Sequence, residues 1–331
     1  MERAETLTYL VTGGAGFIGS HLVDSFLARG EHVIALDNLS TGSAGNIAHN
    51  LANPSFQFQA GSITDQILVD ELVEQADVVV HLAAAVGVKL ILERPLEALI
   101  TNIKGTEVVI EACAVRGRKL LIASTSEIYG KNVGGPLKED ADRILGSPFK
   151  TRWSYSTAKA VDEILAHAYW RERGMPSIVA RLFNCVGPRQ TGTYGMVVPG
   201  LIRQALAGQD LTVYGDGEQR RCFCHVRDTV RGLMGLLDEP AAIGDVFNIG
   251  TSEEVTINEL AHLVVELTGS KSKIVHVSYE EAYEKGFEDM QRRVPDTGKI
   301  EGLIGWRATV PLRSTIKEIV ASIGPEVPLV Q

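Results

Sequence analysis

The first half of the chain alternates short apolar runs with longer segments of helical spacing. The runs are LTYLVTGG, HVIALD, SFQFQAGSI, ADVVVHLAA and KLLIAST. Apolar runs this continuous, separated by helices, are typical of strands buried on both faces of a parallel sheet. The sequence therefore predicts an α/β fold with a doubly wound parallel sheet.

A glycine-rich turn, TGGAGFIGSHL, joins the first run to the first predicted helix, which begins near Gly16. Glycines at Gly13, Gly16 and Gly19 permit a tight turn, let the backbone approach a pyrophosphate, and allow the helix to pack closely on the strand. Asp37 ends the next strand, 18 residues after Gly19. Its carboxylate suits an adenosine ribose and would repel a 2′-phosphate, and Asn38 follows it rather than an arginine. A Rossmann-type domain that binds NAD is the resulting expectation.

The composition of the chain changes after PSIVARLFNCVGP, where glycines and prolines become frequent. Isolated predicted strands, such as LTVYG and KIVHVSY, follow. The segments HVRDTVRGLMGLLDEP and DVFNIG are expected to return to the first domain. We therefore predict an NAD-binding domain of residues 1–185 plus about 226–250. A smaller C-terminal α/β domain that binds substrate would comprise residues 186–225 and 251–331.

The formal charge of −9 argues against nucleic acid or an anionic membrane as a partner, because both are bound through clustered Lys and Arg. No apolar run has the length of a membrane span, and the N-terminus lacks a signal-peptide pattern, so the chain is expected to be cytoplasmic. The four cysteines are too few and too irregularly spaced for a disulfide framework. We expect reduced, packed thiols and no metal site.

The segment YSTAK places Tyr155 and Lys159 four residues apart at the start of a predicted helix, so both side chains lie on one face. An ammonium group near a phenol lowers the pKa of the phenol. We therefore expect Tyr155 to accept a proton from a substrate hydroxyl while a hydride passes to a nicotinamide.

Three hydroxyl residues and a carboxylate follow the run KLLIA, in the stretch STSEIYG. Ser and Thr commonly bond nearby backbone groups where a strand gives way to a loop, and we expect Ser124 to have this role.

These motifs together resemble the extended short-chain dehydrogenase/reductase family, specifically its nucleotide-sugar epimerases, dehydratases and decarboxylases. The matching segments run along nearly the whole chain: TGGAGFIGSHL, DNLSTG, HLAA, NIKGT, STSEIYG, YSTAK, RLFNCVGPR and VYGDGEQRRCF. The resemblance implies NAD as cofactor, a UDP-sugar as substrate and a homodimer formed through the helices near residues 95–115 and 155–173.

The resemblance also implies roles for the residues at matching positions. The implied catalytic residues are Thr125, Ser126, Glu127, Tyr155, Lys159 and Arg293. The implied NAD-binding residues are Gly13, Gly16, Phe17, Ile18, Gly19, Asp37, Asn38, Ser62, Ile63, Leu82, Ala83, Ala84, Asn102, Tyr155 and Lys159. The implied substrate-binding residues are Thr125, Asn184, Val198, Tyr214, Arg221 and Arg293, with Asn184 and Arg221 at the diphosphate and Tyr214 near the nucleobase.

Three residues limit which reaction of this family the chain is expected to catalyse: Ser126, Glu127 and Arg293. Simple 4-epimerases of this family typically lack an acid at the position of Glu127, and deoxythymidine-sugar dehydratases usually have Asp-Glu where this chain has Ser126 and Glu127. The pattern TSE, with an arginine in an Arg-x-Pro context at Arg293, resembles UDP-glucuronate decarboxylases. We therefore predict conversion of UDP-glucuronate to UDP-xylose or to the 4-keto pentose.

Three other interpretations stay open. The first is a UDP-sugar 4-epimerase, acting on UDP-glucose and UDP-galactose or on UDP-glucuronate and UDP-galacturonate. The others are a nucleotide-sugar 4,6-dehydratase and a non-catalytic subunit that binds NAD. In the decarboxylase, a substrate carboxylate beside Glu127 would raise the pKa of Glu127 by like charge.

Overall fold

The computed structural model describes residues 6–87, 93–192, 196–282 and 290–324. Its strands are β1 Thr8–Thr12, β2 His32–Asp37, β3 Phe56–Ala60, β4 Val78–His81, β5 Lys119–Thr125, β6 Ser177–Leu182, β7 Cys185–Val186, β8 Leu211–Tyr214, β9 Arg220–Cys222, β10 Cys224–His225, β11 Val246–Ile249, β12 Glu254–Thr256, β13 Ile274–Val277 and β14 Arg292–Arg293. Its helices are α1 Phe17–Ala28, α2 Gln66–Gln75, α3 Pro95–Leu99, α4 Gly105–Arg116, α5 Ser154–Arg173, α6 Val197–Leu206, α7 Val226–Asp238, α8 Ile257–Thr268, α9 Tyr279–Ala282, α10 Gly298–Ile304 and α11 Leu312–Ile323.

Seven parallel strands form the central sheet, in the order β11-β6-β5-β4-β1-β2-β3. The chain moves from β1 through β2 to β3 on one side and then crosses to β4 on the other side of β1. This reversal of strand order opens a crevice at the carboxyl ends of β1 and β4, where ligands of such sheets bind. The predicted doubly wound α/β fold is confirmed.

Helices cover both faces of this sheet. Helices α1 and α7 pack on one face, where Phe26 and Leu233 are buried. Helices α2, α4 and α5 cover the other face, where Val73, Val109 and Ala166 are buried. Burial on both faces explains why strands β1, β2 and β4 are continuously apolar over most of their length, whereas the edge strand β3, FQFQA, alternates and is partly exposed.

A third apolar core lies outside the central sheet. It joins α6, α8 and α11 around the paired strands β8 and β13, with Ile202, Leu260 and Ile316 fully buried. The remaining strands form a three-stranded sheet in the order β12-β9-β14 and a β7–β10 pair. Helix α10 is an exception in this half, because its Ile300 packs into the core beneath α1 and α7.

The four cysteines are free thiols: Cys113, Cys222 and Cys224 are buried, and Cys185 is half-buried. Burial raises the pKa of the Cys113 thiol to about 12, so it is not a reactive thiolate. Among the described residues, no helix is both long enough and apolar enough to cross a membrane.

Replacing Gly19 with alanine is expected to lower the free energy of unfolding by roughly 2–4 kcal/mol. The added Cβ would lie 2.0 Å from the carbonyl oxygen of Gly13, so the glycine turn and α1 would have to separate. Urea unfolding measures the change. Gly302→Ala in α10 is the matched control: nothing lies within 4 Å of its added Cβ, and it should stabilise the protein by about 0.5–1 kcal/mol. Equal stability of Gly19→Ala and wild type would contradict this packing.

Candidate active site

A cavity of about 1350 Å³ extends from the glycine turn, past the carboxyl ends of the central strands, to the third core. Most of the residues expected at the site line it: Gly13, Gly16, Phe17, Ile18, Gly19, Asp37, Asn38, Ile63, Leu82, Ala83, Ala84, Thr125, Ser126, Glu127, Tyr155, Lys159, Asn184, Val198, Tyr214, Arg221 and Arg293. Two expected cofactor residues, Ser62 and Asn102, are not part of this lining.

The glycine turn is shaped by close backbone contacts. Gly13 has φ +71°, in the left-handed region that favours glycine, and its N–H donates to the carbonyl of Leu36 at 2.7 Å. Gly16 precedes α1 and provides no side-chain cap for the first N–H groups of that helix. A helix start of this kind, facing the cavity, suits a pyrophosphate.

Asp37 is 8% exposed and lies at the end of β2. Its carboxylate accepts hydrogen bonds from the N–H groups of Ala15, at 3.0 Å, and Leu39, at 2.8 Å. Burial raises the pKa of Asp37, and these backbone donors oppose the rise. The side chain therefore fixes the glycine turn and also presents a carboxylate to the cavity.

His81 holds the loop after β4 in place. Thr106 donates its hydroxyl proton to the carbonyl of Asn102 at 2.6 Å, so the Thr106 oxygen accepts from Nε2–H of His81 at 3.0 Å. Nδ1 of His81 then accepts from the Thr12 hydroxyl at 2.7 Å, while the N–H of Ala83 donates to Thr12 at 3.3 Å. Burial lowers the pKa of His81 to about 3, which keeps the ring neutral.

Asn102 supports the same loop from behind the cavity. Its side-chain amide donates to the carbonyl of Ala85 at 3.1 Å and accepts from the N–H of Ala85 at 2.7 Å. The hydroxyl of Ser62 lies 2.8 Å from that of Thr64. The structure therefore gives these two residues local backbone and turn contacts rather than the cavity positions expected from the sequence.

Tyr155 and Lys159 lie on the first turns of α5 and line the cavity, Tyr155 at 8% exposure and Lys159 at 2%. The ammonium of Lys159 lies 3.1 Å from a carboxylate oxygen of Asp162. The pKa of Tyr155 is raised by burial and by the negative charges of Glu127 and Asp162. The pKa of Tyr155 is therefore raised, not lowered as expected from the sequence, and the Lys159 ammonium is paired with Asp162.

In the stretch STSEIYG, the residue that caps the turn is not the one expected from the sequence. Ser124 does not cap the turn: its hydroxyl donates to Glu163 of α5 at 2.5 Å, which ties strand β5 to that helix. Thr125 is the cap, since its hydroxyl oxygen accepts from the N–H of Glu127 at 3.2 Å. Ser126 is 2% exposed and contributes to the cavity wall.

Glu127 lies between two guanidinium groups. Arg152 donates to one carboxylate oxygen at 2.5 Å, and Arg293 donates to the other. These arginines overcome the effect of burial and hold the pKa of Glu127 at about 2. The like-charge argument from the sequence concerned Glu127 beside a bound substrate carboxylate, and it did not include Arg152. Arg152 lies three residues before Tyr155, in the helical turn that precedes α5, and this spacing was an available signal.

Arg293 and Arg221 are register partners on the parallel strands β14 and β9. The side chain of Asn184 donates to the carbonyl of Cys222 at 3.0 Å and accepts from Arg293. Arg293 therefore contacts both Asn184 and Glu127, which fixes its guanidinium at the cavity wall beside Arg221. Two adjacent arginines are well suited to a diphosphate or a carboxylate.

A glycine turn at the switch point of a parallel sheet, with a Tyr–Lys pair in the same cavity, defines a dinucleotide-dependent enzyme of the Rossmann class. Residues 9–250 match the NAD dependent epimerase/dehydratase family, and the chain belongs to that family. NAD is its cofactor, and the resemblance found in the motifs is confirmed.

Several relatives share nearly the whole chain. It is 41% identical over 312 residues to a UDP-N-acetyl-alpha-D-glucosaminuronate decarboxylase of Bacillus cytotoxicus, covering 94% of this chain and 96% of that protein. It is 35% identical over 311 residues to UDP-glucuronic acid decarboxylase 1 of Xenopus tropicalis, covering 94% and 70%. The solved UDP-glucuronic acid 4-epimerase of Bacillus cereus, in complex with UDP-glucuronic acid and NAD, is 30% identical with a TM-score of 0.87, covering 96% and 99%.

Replacing Glu127 with glutamine is expected to destabilise the protein by roughly 2–4 kcal/mol at neutral pH, because two buried arginines lose their counter-charge. A carboxyl whose pKa falls from 4.5 to about 2 on folding stabilises the folded state above pH 4.5. This contribution is lost as the pH falls towards 2. The stability difference between wild type and Glu127→Gln should therefore shrink over that range.

Urea unfolding at a series of pH values measures this difference. Glu107→Gln, at an exposed carboxylate on α4, is the control and should show little change at any pH. A pH-independent difference for Glu127→Gln would contradict the ionised cluster.

Proposed function

We propose that the protein is an NAD-dependent decarboxylase of a UDP-hexuronate, converting UDP-glucuronate to UDP-xylose or to the UDP-4-keto pentose. The observation that carries this proposal is the cluster of Arg152, Glu127 and Arg293 in the cavity that also holds Tyr155. The names of two relatives, both decarboxylases of UDP-uronates, support the same reaction.

The charge of this cluster favours a carboxylate-bearing sugar. Two guanidinium groups, those of Arg152 and Arg293, face the one carboxylate of Glu127. A neutral hexose offers these guanidinium groups no charged partner. The C6 carboxylate of a hexuronate does, and charge-assisted hydrogen bonds to arginine are stronger than neutral ones.

The residues at the cavity can carry out each proton step. Thr125 would hydrogen-bond the sugar 4-hydroxyl and Tyr155 would take its proton, while bound NAD supplies the hydride acceptor for C4. The 6-carboxylate then lies β to a ketone, so the C5–C6 bond breaks, carbon dioxide leaves, and its electron pair forms an enolate. Arg293 would orient the carboxylate, and Glu127 would help to organise the water that protonates C5. In the route to UDP-xylose, C4 would then regain the hydride from the reduced nicotinamide.

In this proposal, residues 1–185 with about 226–250 bind NAD, and residues 186–225 with 251–331 bind the UDP-sugar. The central sheet and the strands β8 and β13 have separate apolar cores, which supports this division into two domains. Helix α10, from the second range, contributes Ile300 to the core of the central sheet. Ser62 and Asn102 act behind the cofactor rather than on it. Asn184, Val198, Tyr214 and Arg221 hold the nucleotide.

We also propose a cytoplasmic homodimer. Free, buried thiols are consistent with a reducing compartment. Helices α4 and α5 expose Val115 and Ile164, at 80% and 64%, which would pack on a second copy of the chain.

A UDP-glucuronate 4-epimerase is the second candidate, because a solved enzyme of that activity shares the fold at 30% identity. It would use the same arginines to hold the carboxylate and would return the hydride without loss of carbon. Release of carbon dioxide therefore separates the two reactions.

Incubation with NAD and UDP-glucuronate should release carbon dioxide and yield UDP-xylose or the UDP-4-keto pentose. UDP-N-acetylglucosaminuronate is tested in parallel, because a relative decarboxylates that substrate by name. Recovery of only UDP-galacturonate would establish the epimerase instead. Turnover of UDP-glucose alone would contradict the proposed role of the arginine cluster.

Arg152→Gln should lower kcat/KM for UDP-glucuronate by between about tenfold and about a hundredfold, the loss expected for hydrogen bonds to a charged group. Affinity for UDP should change little, because UDP has no sugar carboxylate. Arg171→Gln, at an exposed arginine on the following helix α5, is the control. An equal loss of UDP affinity would show that Arg152 serves the nucleotide instead.

A further inference from the structure

Asp162 is a buried carboxylate for which the proposed reaction has no use. It lies on α5, is fully buried, and is not part of the cavity lining. Lys159, one turn earlier, places its ammonium 3.1 Å from Oδ2 of Asp162. Burying a carboxylate is costly unless a cation or hydrogen-bond donors compensate it.

Compensation at Asp162 depends mainly on Lys159. Thr106 on α4 lies beside it, but its hydroxyl proton is donated to the carbonyl of Asn102 at 2.6 Å. Glu163, the next residue, is itself paired with Arg181 at 2.7 Å. The charged side chains closest in sequence to Thr106 are exposed: Lys104, directly before α4, and Glu107 and Glu111 on α4.

The ammonium of Lys159 is therefore paired with Asp162, and Tyr155 lies four residues before Lys159 on the same helix. The charged groups that raise the pKa of Tyr155 are Asp162 from its own helix and Glu127 from the turn after β5. Glu127 is already bracketed by Arg152 and Arg293. Ala98 of α3 and Ala85 also pack against Tyr155, and both are uncharged.

We propose that Asp162 is a positioning residue, which holds the Lys159 ammonium in place and sets the pH range in which Tyr155 can accept a proton. This inference rests on the proposed role of Tyr155 as the base. An ionised carboxylate at Asp162 raises the pKa of Tyr155 and also pairs with the Lys159 ammonium. Removing that charge should therefore favour the phenolate.

The test is a titration of Tyr155 by its tyrosinate absorbance in protein without added nucleotide. Each variant is compared with the same protein carrying Tyr155→Phe, so that the difference reports this one residue. Asp162→Asn should give about tenfold more phenolate at a given pH, corresponding to a pKa lower by about one. Asp162→Ser is measured beside it, so that poor folding of one variant leaves the other to decide.

Two controls separate charge from structure. Asp162→Glu keeps the carboxylate and should titrate like wild type, and Glu172→Gln removes an exposed charge from the same helix and should also do so. Circular dichroism and thermal unfolding establish that each variant is folded. An unchanged phenolate population in a folded Asn or Ser variant would overturn the proposal, as would a Glu variant that titrates like the Asn variant.

The acid limb of the kcat/KM profile for UDP-glucuronate is measured in the same variants. In Asp162→Asn it should move to lower pH by the same amount as the titration. A shifted titration with an unshifted acid limb would leave the effect of Asp162 on Tyr155 intact. It would contradict the proposed role of Tyr155 as the base. Failure of the inference about Asp162 and failure of the proposed function therefore give different results.

Discussion

Helix α5 carries Tyr155 and Lys159, and a buried ion pair fixes where that helix lies on the sheet. Glu163 of α5 accepts two hydrogen bonds from Arg181 of β6, at 2.9 and 2.7 Å, and a third from Ser124 of β5 at 2.5 Å. Ser124 directly precedes Thr125, so one carboxylate sets the position of the Tyr–Lys face relative to the strand end. Breaking such a pair typically costs about 3–5 kcal/mol, because the remaining charge is left buried.

The same network extends into the second half of the chain. Arg181 also donates to the hydroxyl of Tyr129, which donates to Asn248 of β11 at 2.7 Å. Asn248 then donates to the carbonyls of Leu137 and Asp296, so a segment close to Arg293 is held against the central sheet. Because Glu163, Arg181, Tyr129 and Asn248 all have hydrogen-bond partners, the network favours a single arrangement. Helix α5, the strand end and Arg293 are thereby linked.

The local sequence pattern was sufficient to predict the strands, the glycine turn and the shared helix face of Tyr155 and Lys159. Each of these depends on periodicity or on residues a few positions apart. The ionisation of the site was not accessible in this way. Arg293 and Glu127 are 166 residues apart, and only the folded chain brings them together. Asn102 belongs to a motif near the cofactor, yet its amide bonds Ala85, a contact that spacing does not reveal. Backbone hydrogen bonds to side chains were the least predictable part.

The electrostatics of the cavity point to an exchange of partners when a uronate binds. Glu127 occupies both guanidinium groups, so a substrate carboxylate can reach Arg152 or Arg293 only by sharing them with Glu127. Loss of carbon dioxide removes the substrate carboxylate and leaves both guanidinium groups in place. Their positive charge lies where the enolate of the proposed reaction would develop its negative charge. The cluster can thus favour both binding of the carboxylate and its departure.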